Sequence, residues 1–119
     1  MIGLVLTCAV AALHVYILWL EMFRWEHPAT RAAFGTTADF ARDSRVLAAN
    51  QGLYNGFLAA GLIWAAVLGI PGAGSANALF FLGCVTVAGV YGAATASRRI
   101  LFVQALPAAL AGVAVMAGI

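Results

Sequence analysis

The sequence predicts an all-α protein, a four-helix transmembrane bundle with both termini on the outer, periplasmic side. Three observations predict it. The 119 residues are 65% hydrophobic and 8% charged, with a mean hydropathy of +1.02. A soluble domain of this size has too little interior for so much apolar surface, whereas a bilayer supplies an apolar solvent. The apolar residues fall into four runs long enough to cross it, at roughly 20 residues per helix. The charges, Glu21 apart, fall between those runs, in two short segments only.

The elements follow in order. The first helix is expected over about 2–23 and closes at Arg24, Trp25 and Glu26, with Pro28 as its stop. It lacks the basic start of a signal peptide and stays apolar through Leu20, so it is expected to remain as a membrane helix. A lipoprotein reading of Cys8 is disfavoured because Thr7 precedes it and no positive charge lies upstream. Residues 24–45 form the one sizeable hydrophilic loop. Within it Thr36 or Thr37 can cap a new helix, with Asp39 in the first turn where the helix dipole favours a negative charge. That helix continues past Phe40, Arg42 and Arg45 into the second span, about 46–70, which ends at Pro71-Gly72. The link PGAGSAN is a tight turn. The third span covers about 78–96, Arg98 and Arg99 form the next turn, and the fourth runs over 100–119. Residues 1–119 thus read as a single transmembrane domain without internal repeats.

The positive charges orient the bundle. Six arginines and no lysine stand against four acidic residues, giving a net charge of +2. Arg24, Arg31, Arg42 and Arg45 lie in the first loop and Arg98 and Arg99 in the third, while the second loop and the termini carry none. By the positive-inside rule, loops one and three face the cytoplasm. The expected location is the bacterial inner (plasma) membrane, with the lipid bilayer as the first partner. No basic folded face of the kind that binds nucleic acid is present.

Polar side chains inside a span are costly and need a reason. His14 and Glu21 lie seven residues apart, so they point within about 20° of each other on the first helix. On the second, Asn50, Gln51, Tyr54 and Asn55 share an arc of roughly 140°. Gly52, Gly56 and Ala60 form a small-xxx-small ladder on the opposite side, suited to close helix packing. Tyr91 and Thr95 share a face of the third helix. Gln104 sits early in the fourth, before Pro107, whose missing N–H frees a carbonyl. In alternating helices, all these groups except His14 fall within about two turns of the cytoplasmic boundary. The expectation is a polar pocket open to the cytoplasm, walled by Glu21, Asn50, Gln51, Tyr54, Asn55, Tyr91, Thr95 and Gln104, with His14 as its floor. The bland alternative is that the amides only glue helices together, at perhaps 0.6 kcal/mol each, and that Glu21 pairs with an arginine.

Neither a metal nor another cofactor is expected. His14 and Glu21 supply two donors where a site needs three or four, and Cys8 and Cys84 read as isolated buried thiols. Trp19, Phe23 and Trp25 read as interfacial anchors and His27 as solvated loop. Phosphate-binding and nucleophile motifs are absent.

The strings HVYILWLEMFRW (14–25), LAANQGLYNGFLAAG (47–61), AGVYGAATASR (88–98) and FVQALPAA (102–109) closely resemble the bacterial membrane family called domain of unknown function 1304. The resemblance covers nearly the whole chain and implies a small four-helix inner-membrane protein; it carries no activity. Its motif positions match the polar set, His14, Glu21, Asn50, Gln51, Tyr54, Asn55, Tyr91 and Gln104. Small multidrug resistance transporters are similar in length and in having a membrane carboxylate in the first helix. Their motifs are missing here, and the uniform arginine bias differs from the balanced insertion that some of them use.

Three functions follow in order of preference. The first is a module that binds or transports a small polar or amphipathic molecule, with Glu21 and His14 as charge or proton sites. The second is a structural or accessory subunit of a larger membrane complex, in which the Gly52/Gly56/Ala60 face meets a partner. The least favoured is an intramembrane enzyme acting on a lipid-like substrate, with Glu21 as acid or base and Tyr54 or Tyr91 as proton donor. A homodimer would thicken the wall around a pathway that four short helices enclose thinly.

Overall fold

The computed structural model describes residues 1–119, and every regular element is helical. Helix α1 spans Ile2–Phe23, α2 Pro28–Phe34, α3 Ala38–Leu68, α4 Ser75–Thr95 and α5 Leu106–Met116. By length and composition, α1, α3 and α4 can each cross a membrane, whereas Leu101–Met116 is a shorter apolar helix. The sequence pattern places a span of full length there.

Local chemistry explains the boundaries. Pro28 does two jobs. It cannot extend α1, and as the first residue of α2 it sits where a missing N–H costs nothing. His27, in extended backbone (φ −66°, ψ 140°), caps α2 by accepting the Ala29 N–H on Nδ1 at 3.2 Å. His27 is therefore a capping residue and not merely solvated loop. Gly35 ends α2 in the left-handed region at φ 69°, its N–H bonded to the Arg31 carbonyl. Thr37 Oγ1 then accepts the Phe40 N–H at 3.1 Å and opens α3, with Asp39 in the first turn. That helix continues for 31 residues. It stops at Gly69, whose φ of 104° a side chain would resist, and the link to α4 includes a cis Ile70–Pro71 bond. Before α5 the backbone widens over Leu101–Ala105, where the Leu106 N–H reaches back to the Leu101 carbonyl. The ring of Pro107 explains the widening, since it can neither donate to the carbonyl four residues back nor pack against it.

The chain forms two units. One comprises Met1–Ala12 with Leu58–Ile119, the other Leu13–Phe57. In the first, Leu62, Ala65, Leu82, Val85, Ala108 and Ala111 are at most 1% exposed and form an apolar core with Val10, Ala11 and Val115. Small residues bring its backbones close: a Cβ on Gly89 would lie 2.8 Å from the Ala105 backbone nitrogen. Such contact matters because lipid removes the hydrophobic force between helices and leaves dispersion to hold them. The outer surface of this unit is itself apolar, with Val67, Phe80 and Leu110 among its exposed side chains. Cys8 is exposed and Cys84 half-buried, both as free thiols, so Cys8 departs from the buried position expected of it.

In the second unit the end of α1 packs antiparallel on the first part of α3. Gly52 faces Met22 and Glu21, and Gly56, one turn on, faces Leu18. Trp25 Nε1 donates to Ser44 Oγ at 3.1 Å, and the Trp25 ring meets Phe34 edge-on at 5.0 Å. The Arg24 guanidinium lies 5.1 Å from the Trp19 ring centroid. Trp19 and Trp25 thus hold protein side chains, a use that the interfacial-anchor pattern does not reveal.

Candidate functional site

The site grows from the Leu13–Phe57 unit. Glu21 is 8% exposed, and Asn55, also 8% exposed, donates to its Oε1 from Nδ2 at 2.6 Å. The glycine at position 52 makes this bond reachable. With no side chain at Gly52, α1 comes near enough that a Cβ there would stand 3.1 Å from the Glu21 Cβ. A carboxyl group taken out of water needs a hydrogen-bond partner, and here it has a neutral one.

This corrects the division of α3 into a polar and a packing side. Asn55 is buried along with Ala48, Gly52 and Ala59, while Asn50, Gln51, Tyr54 and Ala60 are exposed and Gly56 is half-buried. At about 100° per residue, Asn55 stands about 60° from Gly52 and about 100° from Tyr54. Asn55 was thus at the edge of the polar arc, on the side that packs. Asn50 donates from Nδ2 to the Val46 carbonyl of its own helix at 2.9 Å. Tyr54 makes an edge-on contact with Phe57 at 5.9 Å. Gly52, offered above as a docking face for a partner, is occupied by α1 of the same chain.

Glu21 and Asn50 also line an open cleft of about 640 Å³, together with Met22, Phe23, Arg24, Trp25, Glu26, His27, Arg45, Val46 and Ala49. Arg45 pairs loosely with Glu26, at 3.9 Å with both side chains exposed. A smaller cleft of about 180 Å³ lies between Tyr16, Trp19 and Arg24 on one side and Thr30 and Ala33 of α2 on the other. The charged wall formed by Arg24, Glu26, His27 and Arg45 was not among the expected site residues. Arg24, Glu26 and His27 sit between α1 and α2 and Arg45 lies about two turns into α3, where a sequence pattern reads the arginines as topology signals.

The remaining expected residues are placed as follows. His14 is wholly buried on α1. Tyr91, Thr95 and Gln104 belong to the other unit. There Tyr91 is exposed, Thr95 Oγ1 donates to the Tyr91 carbonyl at 2.7 Å, and Gln104 is half-buried. No group of three or more His, Cys, Asp or Glu side chains converges as a metal would require.

Helices of membrane-crossing length and a buried glutamate beside an open cleft place the chain among small helical proteins built for an apolar solvent. The chain belongs to the family described as Protein of unknown function (DUF1304), which it matches over residues 8–116. No curated protein and no solved structure matches it.

Proposed function

We propose that the chain is a four-pass protein of the bacterial inner membrane that binds a small polar or amphipathic molecule in the Glu21 cleft, as a binding or transport module. One observation carries this reading: a buried carboxylate, bonded by a neutral amide, forms part of the wall of an open cleft of about 640 Å³. Ligand sites typically measure about 300–1,000 Å³ and combine apolar walls with a few convergent polar groups. In this topology Leu101–Met116 and its flanks make the fourth pass, both termini lie outside, and the arginines bring the cleft mouth to the cytoplasm. Ionisable groups in such a position are costly enough to mark function.

The test is solvent access. Ala49→Cys, made in a chain whose Cys8 and Cys84 are replaced by Ser and Ala, should react with a membrane-impermeant thiol reagent from the cytoplasmic side of oriented vesicles. An inert cysteine, or one labelled from the outside only, refutes the cleft or its orientation. Where a bound molecule is found, Glu21→Gln should abolish its binding or flux.

The accessory-subunit reading draws on Gln51 and Tyr54, which are exposed on a membrane-length helix where lipid offers no hydrogen-bond partner. Purification as a stable complex with a different protein would favour it.

A further inference from the structure

The order of charges along the cleft narrows what it can hold, given the binding role proposed above. Because α1 and α3 are antiparallel, Asn55 and the Glu21 carboxylate mark the inner end. Arg45 stands ten residues before Asn55, roughly 15 Å along α3. Arg24 and Glu26 follow Glu21 on the same side. The inner end therefore carries a buried carboxyl group bonded by one neutral donor. The outer part carries two arginines, one stacked on Trp19 and the other loosely held by Glu26.

Glu21 shares the lining of one cleft with Arg24 and Arg45, so a simple cation drawn to Glu21 meets guanidinium groups there, and a simple anion drawn to the guanidinium groups meets an acidic group. A molecule with an ammonium at its leading end and an acidic group behind satisfies both. The exposed Arg45–Glu26 pair is weak enough to open for it, since ion pairs in that setting contribute little. An ethanolamine phospholipid entering from the bilayer presents the opposite order, with its phosphate nearer the acyl chains and its ammonium toward water. We infer that the cleft takes a small zwitterion from the aqueous side, its ammonium on Glu21 and its phosphate or carboxylate on Arg24 and Arg45.

Phosphoethanolamine serves as the probe, with ethanolamine and inorganic phosphate as its two halves. Titration calorimetry on the unaltered chain in phosphatidylcholine nanodiscs should show saturable binding of phosphoethanolamine, at least about tenfold tighter than either half. Glu21→Gln should weaken it at least about tenfold while leaving the weak binding of phosphate unchanged, and Arg45→Gln should reverse that pattern. Phosphoethanolamine should also protect Ala49→Cys from the thiol reagent. Ethanolamine or phosphate binding as tightly as the zwitterion overturns the inference, as does the absence of binding by all three. The cleft itself still stands in those cases if Ala49→Cys reacts, and an unreactive cysteine removes both. Protection in phosphatidylethanolamine nanodiscs without added solute overturns the aqueous route and makes the lipid headgroup the source.

Discussion

The two units put one kind of helix contact to different ends. Both bring backbones together over glycine: Gly89 against Ala105 in one, Gly52 against Met22 and Glu21 in the other. In the first unit Leu62, Leu82 and Val85, each fully buried or nearly so, form part of an apolar core. In the second, the space beside that contact holds the Glu21–Asn55 bond and opens into a cleft. Close packing over glycine is therefore neutral with respect to role. What the neighbouring positions carry decides whether the result is a core or a site.

The contrast can be broken by experiment, and the largest effects belong to the first unit. Gly89→Ala should cost about 3 kcal/mol, because the new methyl meets the Ala105 backbone, which cannot move aside as a side chain could. Denaturant titration in mixed micelles measures it, and a loss under about 1 kcal/mol would mean that the contact is loose. Leu82→Ala should follow at about 2 kcal/mol, a cavity cost reduced because lipid is as apolar as the side chain removed. Asn55→Leu should cost about 1 kcal/mol in the second unit, since Glu21 loses its donor but keeps the cleft beside it. If Asn55→Leu proved as costly as Gly89→Ala, the amide would be structural glue and the contrast would fail. Glu26→Gln should change stability by less than about 0.5 kcal/mol, as befits an exposed pair, while altering the salt dependence of any ligand's binding.

Much of this was legible in the residues. Long apolar runs required membrane-length helices, and the Thr37 cap and the Pro71-Gly72 break could be read from side-chain chemistry. Glu21 and Asn55 stood out because an acid and an amide in such helices demand partners. Three things were hidden. Pro28 reads equally as an end and as a start, and only the His27 cap decides that a helix follows. Asn55 lay on the border of two faces, where a helical wheel cannot choose and close approach at Gly52 can. The arginines and Glu26 of the cleft have one meaning for orientation and a second, unrelated one in space, and periodicity reports only the first.

The length of α3 has one more consequence. Its 31 residues rise about 46 Å, against about 30 Å of hydrocarbon. On the proposed topology a stalk of roughly 16 Å rests among headgroups and water, with the exposed Asp39–Arg42 pair near its tip. Acyl-chain length then sets where Arg45 meets the membrane surface: thick bilayers draw it inward, and thin ones release it. Affinity at the cleft should be compared only between lipids of matched thickness.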